Sequence, residues 1–457
     1  MRNFLGLCGL LGASAACTAD SEEVRPRERE INFPTGIAVA PDERVAFIAT
    51  ANSELRYDSG TITVLELDTI QQAITQWDGG AGQIFTNELC GEDGEPCCVP
   101  DSDRRETLTC DESLFIRLGA SVRIGNFATD VSVQKLDEPF LRVFVPTRGD
   151  PSVAWADFDG QRLECGSGTE FPLCDDEHRL SFAHNDASLQ SLGEEPFGVF
   201  ADSGGEFAIV THLTNLANSP QVTLIDSPKN GPAMIADMIS GVFAADATSG
   251  VRGATGVAGR APNQPNDIVY VGSRSEDRIQ TFTVGRPINE APPFLLPGSW
   301  FFLDAVGGNT GGSNDTRGMQ FSPDGSRLYL VNRRPPSLQI IDTSIEPTGL
   351  PANRAIGATD ICRQASTVTI SGTGDAERAY VTCFQDGQLY VIDPRAGVVV
   401  EDILLVGRGP YGVAAARSRD LLLVTNFLED TVAVVDIAPG SATRNRVVLR
   451  IGKPRPL

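Results

Sequence analysis

The chain has 457 residues, with 41% hydrophobic and 21% charged side chains, 46 glycines, 29 prolines and a formal net charge of −23 at pH 7. So acidic a chain is a poor partner for nucleic acid or anionic lipid, because binding to phosphates depends on clustered Lys and Arg. The length exceeds that of a single sandwich or small barrel, and the Gly and Pro content indicates an all-β protein rich in turns.

The first residues predict export. Residues 1–16 combine one basic residue with an apolar run and then small residues, which is the pattern of a cleavable signal peptide. The segment SAAC that ends at Cys17 resembles a bacterial lipobox, and this resemblance implies that Cys17 is lipidated and becomes the new N-terminus. Ser14 stands where that motif usually has leucine. Cleavage after Ala15 or Ala16, which would release the protein, is therefore the alternative.

The next segment, residues 17–31, is polar and charged and has no apolar periodicity. Such a composition predicts a flexible tether. No later segment is apolar enough to span a bilayer. We therefore expect the folded part of the protein to cover residues 32–457.

One unit of sequence recurs along the folded part. Its copies begin near Gly36, Asp130, Gly198, Gly256, Gly318, Thr367 and Gly412. The clearest copy is the last, in which strands are predicted at 412–416, 421–425, 431–436 and 446–451. From Thr367 to Gly412 the interval is 45 residues, the length of one four-stranded propeller blade.

These copies predict the fold. Short strands at even spacing, without helical periodicity, favour a seven-bladed β-propeller of four-stranded antiparallel blades over a sandwich. The longest interval, 94 residues between the first two copies, contains a cysteine-rich insertion at about residues 75–117.

The strand segments resemble a known family. The segments LYLVN at 328–332, LLVTN at 422–426 and VAVVD at 432–436 are similar to the YVTN family of propeller repeats. The resemblance covers residues 32–451 and is strongest in the first, fifth, sixth and seventh copies. It implies a closed ring in which each blade covers the apolar faces of its neighbours.

Two recurring polar residues have a structural interpretation. An aspartate at the end of the third strand is expected to accept backbone N–H groups in the following turn. An asparagine at the end of the second strand is expected to adopt the left-handed turn conformation. The positions are Asp68, Asp226, Asp342, Asp393 and Asp436, and Asn52, Asn332 and Asn426.

Eight of the ten cysteines follow Cys17, and an even number in an exported chain predicts disulfides. Cys165 and Cys174 flank one short loop and are expected to pair. Cys362 and Cys383 lie at matching ends of a predicted hairpin and are also expected to pair.

The other four cysteines, Cys90, Cys97, Cys98 and Cys110, lie in the acidic insertion. Adjacent Cys97 and Cys98 are expected to bond outward to Cys90 and Cys110. A zinc cluster is the alternative, but the spacing fits no common set of zinc ligands.

No catalytic motif is present. The chain lacks a Gly-x-Ser-x-Gly segment, a His-Glu-x-x-His segment and a phosphate-binding loop. Two of the three histidines, His178 and His184, lie in an acidic loop, which we interpret as solvated rather than as a metal site. We therefore predict no enzymatic activity, no metal and no cofactor.

One face of the predicted propeller has a candidate binding site. Loops that lead into the first strand of each blade, and loops that join the second strand to the third, open together around the central funnel. These loops contain Arg148, His212, Arg274, Arg317, Arg333, Arg334 and Tyr411. A ring of guanidinium groups would bind an anion, since it matches carboxylate and phosphate. The alternative is that each Arg pairs with a nearby Asp or Glu.

These observations predict an extracytoplasmic, lipid-anchored propeller at the outer membrane, cell surface or periplasm. We expect it to bind or scaffold a protein or polysaccharide partner that the sequence does not identify. Membrane contact is expected through the anchor alone, and nucleic acid is not expected as a partner. The alternatives are a lactonase-like hydrolase that uses the funnel and a structural subunit of an envelope complex.

Overall fold

The computed structural model of the chain describes residues 24–77, 97–166, 170–181, 191–214, 216–245, 250–260, 268–288, 291–303, 315–395 and 397–454. The predicted signal peptide (1–16), Cys17, Cys90 and His184 lie outside the described residues. Within the described ranges, no helix is both long and apolar enough to cross a membrane.

The first three blades follow one another along the chain. Blade 1 is formed by β1 (Pro34–Val39), β2 (Val45–Thr50) and β3 (Gly60–Glu66) and, after α1 (Leu67–Gln76), β4 (Cys98–Pro100) and β5 (Leu108–Cys110), by its outer strand β6 (Val122–Ile124). Blade 2 contains β7 (Ser132–Lys135), β8 (Leu141–Thr147), β9 (Ser152–Phe158), β10 (Leu163–Glu164) and β11 (Arg179–Leu180). Blade 3 contains β12 (Pro196–Asp202), β13 (Phe207–His212), β14 (Pro220–Asp226) and β15 (Met234–Ser240).

Four further blades complete the ring. Blade 4 contains β16 (Ala254–Gly259), β17 (Ile268–Ser273), β18 (Arg278–Gly285) and β19 (Phe294–Phe302). Blade 5 contains β20 (Thr316–Phe321), β21 (Arg327–Arg333), β22 (Pro336–Asp342) and β23 (Arg354–Asp360). Blade 6 contains β24 (Ala365–Ser371), β25 (Arg378–Cys383), β26 (Gln388–Asp393) and β27 (Val399–Leu405). Blade 7 contains β28 (Pro410–Ala416), β29 (Leu421–Asn426), β30 (Thr431–Asp436) and β31 (Arg446–Ile451).

The protein is therefore a seven-bladed β-propeller with four-stranded antiparallel blades, and the predicted fold is confirmed. The last two strands of blade 7 have the predicted bounds. The core lies between blades. Phe47 of blade 1 meets Phe158 of blade 2 edge to face, with ring centroids 5.2 Å apart, because the second and third strands are covered on both faces by neighbouring blades.

Glycines near the start of the first strands allow the blades to meet closely at the axis. A Cβ on Gly256 would lie 2.2 Å from the carbonyl oxygen of Arg317 in blade 5, and a Cβ on Gly412 would lie 2.4 Å from that of Thr35 in blade 1. Real Cβ atoms do not approach backbone so closely. These positions therefore require glycine, and the packing of the inner strands explains why most copies of the repeat begin with that residue.

Threonine hydroxyls bind consecutive blades together. Thr211 donates to the carbonyl of Thr255 in the next blade at 2.6 Å, and Thr382 donates to the carbonyl of Tyr411 at 2.8 Å. At the junction of blades 5 and 6 a different bond is made, from the guanidinium Nε of Arg333 to the carbonyl of Ala365 at 2.7 Å. The conserved geometry from blade to blade gives the threonine of the LLVTN segment a structural role.

The cysteine-rich insertion closes the ring. It leaves blade 1 after β3, and its strand β5 pairs in parallel with β31, the outer strand of blade 7. The disulfide between Cys98 and Cys110 ties β4 to β5. Thr107 adds a hydroxyl bond of 2.7 Å to the carbonyl of Val447. A segment of the first blade thus extends the last blade to a six-stranded sheet. We call this hairpin, β4 and β5, the clasp.

Helix α1 was not predicted. It begins the insertion directly after β3 and buries Leu67, Ile70 and Ala73, together with the following Trp77, in one core cluster with residues of blade 7. The insertion accordingly starts at residue 67, earlier than the expected residue 75. A single helix of ten residues leaves little periodicity to detect in the sequence.

The other predicted disulfides are present. Cys165 pairs with Cys174, and Cys362 pairs with Cys383. Cys97 is also disulfide-bonded. The loop closed by Cys165 and Cys174 lies against the outer strand of blade 1, where the backbone N–H of Cys174 donates to the carbonyl of Arg123 at 2.9 Å. The clasp therefore covers the outer edge of blade 7, and the loop closed by Cys165 and Cys174 covers the outer edge of blade 1.

Residues 24–31, assigned above to a flexible tether, lie against blade 1. Ile31 is buried, the carboxylate of Glu28 accepts the backbone N–H of Gly119 at 2.7 Å, and the carbonyl of Val24 accepts that of Asp58 at 2.9 Å. These contacts extend the ordered domain to residue 24. The polar composition of the segment gave no sign of these contacts, because bonds to backbone groups leave no pattern in the sequence.

Most recurring aspartates have the expected role. Asp342, Asp393 and Asp436 each accept the backbone N–H two residues further on. Asp68 lies instead in α1, where it pairs with Arg419. The other four of the five aspartates end a third strand, as predicted: Asp226, Asp342, Asp393 and Asp436.

The interpretation of the asparagines holds for one of three. Asn52 has the left-handed conformation, with φ of 48°. Asn332 and Asn426 do not. They are buried at the ends of their strands, where Asn426 donates to the carbonyl of Val406 at 3.1 Å and Asn332 accepts the backbone N–H of Asp315 at 3.1 Å.

Candidate functional site

The channel along the propeller axis opens into a basic cavity. The channel has a volume of about 570 Å³ and is lined by the first strands of the blades. A second cavity of about 470 Å³ lies at one mouth of it, against blades 4 to 6. The two share Arg317. We call the second cavity the mouth cavity.

The mouth cavity is rich in guanidinium groups. Among the described residues it is lined by five arginines, one carboxylate and two glutamines. These are Arg274, Arg317, Arg333, Arg334 and Arg363, with Asp315, Gln364 and Gln385. The structure therefore brings together four of the arginines that the sequence placed at one face.

The repeat explains why these side chains point to the mouth. In each blade the start of the first strand pairs with one residue of the second strand, as Thr316 pairs with Asn332. The next residue of the second strand donates its backbone N–H to the loop that leads into the first strand. Arg333, for example, donates to the carbonyl of Asp315 at 2.9 Å. We call this the mouth position. Around the ring it holds Ala51, Arg148, Leu213, Arg274, Arg333, Phe384 and Phe427.

Arg317 is held by a neighbouring carboxylate. Its Nε lies 2.8 Å from Oδ1 of Asp315, and a second nitrogen donates to Oδ2 at 3.0 Å. The guanidinium also lies over the ring of Phe197, with 5.1 Å to the centroid. Both ionic partners are largely buried. The pair fixes Arg317 at the junction of channel and mouth cavity.

Arg333 and Arg274 lie in an environment that disfavours their charge. Burial, followed by the neighbouring charge of Arg317, lowers the pKa of Arg333 to about 10 and lowers the pKa of Arg274. Arg333 donates to the carbonyl of Ala365 at 2.7 Å, so it is positioned by backbone. A cluster of partly desolvated like charges is stabilised when an anion enters.

Arg148 lies at the mouth position of blade 2 but lines neither cavity. It donates to the carboxylate of Glu195 at 3.0 Å, and about a third of its side chain is exposed. This is the local pairing that the sequence left as the alternative for every arginine of the group.

His212 does not face the mouth. It is fully buried at the end of β13, where Nε2 lies 2.8 Å from the hydroxyl of Thr223 and Nδ1 lies 3.3 Å from the carbonyl of Glu194. Burial lowers its pKa to about 4. His212 pairs with Pro196 at the start of the first strand. It therefore occupies the position of the buried asparagines, one residue before the mouth position, and alternation along the strand turns it inward.

Tyr411 lines the channel at the start of β28. Burial raises the pKa of its phenol, while the nearby charges of Arg317 and Arg333 oppose that shift. Its ring centroid lies 6.4 Å from those of Phe384 and Phe427. Tyr411 thus joins the basic cavity to an aromatic cluster.

Arg363 was missed from the sequence. It lies in the loop before β24, next to Cys362, whose disulfide to Cys383 anchors that loop to the second strand of blade 6. The signal was present, because this loop belongs to the class that leads into a first strand.

Asp130 is a carboxyl group in the channel wall. Burial raises its pKa to about 6, against the opposing effect of two backbone N–H donors, Val199 at 3.1 Å and Val131 at 2.9 Å.

Within the described parts of the chain, no group of three or more His, Cys, Asp or Glu side chains is placed to hold a metal ion. In the acidic loop that contains His178, the Nδ1 atom of this histidine lies 2.7 Å from Oδ1 of Asp175.

Comparison with known proteins supports the fold and leaves the function open. No family model matches the chain, and no curated protein matches its sequence. The chain is similar to a solved protein from Lactobacillus plantarum (14% identity, TM-score 0.53, covering 78% of this chain and 92% of that one). It is also similar to the periplasmic gluconolactonase of Pseudomonas aeruginosa, with 16% identity and a TM-score of 0.52, covering 83% of this chain and 86% of that one. A third similar structure is a Bacteroides fragilis protein provisionally assigned as a 6-phosphogluconolactonase, with 12% identity and a TM-score of 0.54, covering 92% of this chain and 97% of that one. At these identities the likeness concerns the fold.

Proposed function

We propose that this protein is an extracytoplasmic binding module whose mouth cavity takes an anionic group of a protein or polysaccharide partner. The observation that carries the proposal is a cavity to which the described residues contribute five arginines and one aspartate, in a chain with a net charge of −23. Guanidinium groups match carboxylate and phosphate with two parallel hydrogen bonds. The acidic exterior leaves the cavity as a local basic site and disfavours non-specific binding of polyanions.

The test is direct binding. Calorimetry with inorganic phosphate and with an oligomer of galacturonic acid is compared for the wild type and for a triple variant, R274A/R317A/R333A. We expect affinity for at least one probe to fall by about tenfold or more, since charge-assisted bonds contribute most of the binding energy.

A matched triple variant, R27A/R162A/R354A, removes the same charge from exposed positions. It is expected to bind as the wild type does. Equal affinity for both probes in the mouth variant and in the wild type would contradict the proposal. Binding at raised ionic strength separates cavity binding from diffuse attraction, because diffuse attraction is screened.

The same proposal includes an extracytoplasmic address and a lipid anchor at Cys17. Its support is the signal-like N-terminus together with three disulfides whose cysteines both lie among the described residues. Disulfides are stable in oxidising compartments. Mass spectrometry of the N-terminal peptide of membrane-extracted protein tests it. Thioether-linked lipid at Cys17 supports the anchor, and a free N-terminus at Ala16 or Cys17 contradicts it.

Membership of the YVTN propeller-repeat family is part of the proposal. Its support is the LLVTN segment, whose Thr425 and Asn426 bond to neighbouring loops and strands through their side chains.

A second candidate is hydrolysis of a sugar lactone in the channel. Its support is Asp130, a carboxyl with a raised pKa in the channel wall, and the names of two structurally similar proteins. Acid release from gluconolactone, followed by a pH indicator with the wild type and with D130N, tests this candidate. Release at the uncatalysed rate by both proteins excludes gluconolactone as substrate.

A further inference from the structure

The mouth position divides the rim of the propeller into two sectors. Blades 4 and 5 place Arg274 and Arg333 there, and blades 6 and 7 place Phe384 and Phe427 there. Because the position is equivalent in every blade, these four side chains follow one another around the rim. A basic sector is therefore succeeded directly by an aromatic one.

The aromatic sector is a cluster of touching rings. The centroids of Phe384 and Phe427 lie 5.9 Å apart, and Tyr411 lies 6.4 Å from each. Phe33 is buried beneath them, 5.4 Å from Phe427. The three upper rings are half-buried. Tyr411 lines the channel, and Phe384 and Phe427 lie at the mouth position of the rim, beside the mouth cavity and not in its lining.

Hydrogen bonds to the backbone of blade 6 connect the two sectors. Arg333 of blade 5 donates to the carbonyl of Ala365 in the first strand of blade 6 at 2.7 Å. The backbone N–H of Phe384 donates in turn to the carbonyl of Gln364, which lines the mouth cavity. Gln385, the residue after Phe384, lines it too. Two neutral amides of blade 6 therefore line the mouth cavity together with the guanidinium groups.

We infer that the mouth cavity and the adjoining rim bind an acidic saccharide, with a carboxylate on the arginines of the cavity and one face of a pyranose ring on Phe384 and Phe427 at the rim. This inference rests on the proposed anion-binding function and names its ligand class. A pyranose face presents weakly positive C–H groups, which pack on the negative face of an aromatic ring. The exposed amides of Gln364 and Gln385 can both donate to and accept from hydroxyls. A cavity of about 470 Å³ has the volume of a small-ligand site.

Other anions fit the same residues less well. An acyclic carboxylate uses the arginines and leaves the rings idle. A flat aromatic carboxylate uses both sectors but has no hydroxyls for the two amides. An acidic saccharide uses all three kinds of group at once, and the saccharide class follows from this combination.

The experiment uses three probes with calorimetry on the full folded domain. Trigalacturonate carries charge, hydroxyls and rings. Its methyl ester keeps the rings and hydroxyls without charge, and tricarballylate keeps the charge without rings. For the wild type we expect trigalacturonate to bind at least about tenfold more tightly than either of the others, since each sector contributes separately.

Two variants separate the sectors. R274Q/R333Q is expected to weaken both charged probes by about tenfold. F384L/F427L keeps apolar volume and is expected to weaken trigalacturonate by about fivefold while leaving tricarballylate unchanged. The matched control F140L alters an exposed ring of the loop before β8. It is expected to change neither affinity.

A third variant guards against a folding artefact. Gln364 and Gln385 are exposed, so Q364A/Q385A is expected to fold normally. It should weaken trigalacturonate by about threefold and leave tricarballylate unchanged, since only the saccharide has hydroxyls for the amides.

The outcomes distinguish the two proposals. If tricarballylate and trigalacturonate bind equally and the Phe and Gln variants change neither, the anion site stands and the saccharide inference is overturned. If the methyl ester binds as tightly as the acid, the acidic requirement is overturned. If no charged probe binds the wild type, the proposed function and this inference both fail.

Discussion

The hydroxyl of Thr425 in blade 7 donates a 2.6 Å hydrogen bond to the backbone carbonyl of Thr35 in blade 1, across 390 positions of sequence. The same hydroxyl accepts the backbone N–H of Gly412 at 2.8 Å. One side chain therefore satisfies two buried backbone groups at the seam where the chain closes on itself. Equivalent bonds join blades 3 and 4 and blades 6 and 7. Threonines at or just before a first strand bond to the next blade at other junctions, as Thr129 does to the carbonyl of Phe197 at 2.6 Å, so the ring is held near its axis by side chain to backbone bonds as well as by apolar packing.

Thr425→Val tests this seam. The substitution keeps shape but leaves the carbonyl of Thr35 and the N–H of Gly412 unpaired in the interior, so we expect the free energy of unfolding to fall by about 1–3 kcal/mol. Urea denaturation followed by fluorescence measures it. Thr283→Val, on an exposed face of β18, is the matched control and should change stability little. Equal stability of the two variants would show that the seam bonds contribute nothing.

The clasp offers a second prediction. In C98S/C110S the hairpin loses its covalent tie, and we expect the free energy of unfolding to fall by about 2–4 kcal/mol. Hydrogen exchange should accelerate first in β5 and in its partner β31, because the clasp covers that edge. C165S/C174S is the control, and there the faster exchange is expected at β6 of blade 1 instead. Unchanged exchange in β31 of the first variant would contradict the role of the clasp.

Sequence reasoning succeeded where the interaction is local and repeated. The strands and turns of blade 7 follow from short runs rich in Val and Leu that end at Asp and Asn, and the pairing of Cys165 with Cys174 follows from one loop. It failed where the pairing of a segment depends on residues that are distant in the sequence. Nothing near Leu108 indicates that β5 will pair with Leu449 of the last blade, since that pairing is set by the shape of the closed ring.

The candidate site shows the same division. Counting along the repeat located Arg274, Arg317 and Arg333 at one mouth, because a loop class fixes the face of the propeller. It could not separate Arg333 from His212, whose positions differ by one residue along equivalent strands. In a strand, one residue exchanges an inward side chain for an outward one. Register within a blade therefore decides which polar residues reach the cavity.

His212 gives a prediction for pH dependence. Its pKa is about 4 in the folded chain and about 6.5 in an unfolded one. Between these values the unfolded chain binds a proton that the folded chain does not. Stability is thus fully present above pH of about 6.5 and falls as the pH drops toward 4, by up to about 3 kcal/mol.

His212→Asn tests the assignment, because asparagine occupies the equivalent position in blades 5 and 7. Denaturant titrations of both proteins across this pH range give the difference in pH dependence that belongs to His212 alone. We expect the variant to lose less stability on acidification than the wild type. Parallel loss in the two proteins would show that His212 does not set the dependence.

A glycine of the inner ring provides a fourth prediction. In Gly256→Ala the new Cβ would lie 2.2 Å from the carbonyl oxygen of Arg317, so blades 4 and 5 must separate at the axis. We expect a loss of at least about 2 kcal/mol in the free energy of unfolding, as for other overpacked cores. Gly231→Ala, where the nearest contact is a proline side chain at 3.2 Å, is the control. Equal stability of the two variants would mean that the channel wall yields freely.

Asp315 is the residue whose removal should improve the site. It is the carboxylate among the described residues of the mouth cavity, and it occupies the guanidinium of Arg317 through two contacts. In Asp315→Asn this competition is lost and the cavity gains one positive charge, so affinity for tricarballylate is expected to rise severalfold. The folded state should be less stable, because a largely buried guanidinium loses its partner until an anion replaces it.

Calorimetry at two ionic strengths, together with the melting temperature with and without tricarballylate, measures both effects. Asp137→Asn, exposed in the turn between β7 and β8 of blade 2, removes the same charge from the opposite face and should alter neither quantity. A variant at Asp315 that binds tricarballylate no better than this control would place Arg317 outside the anion site, since only a guanidinium that faces the ligand gains from losing its carboxylate.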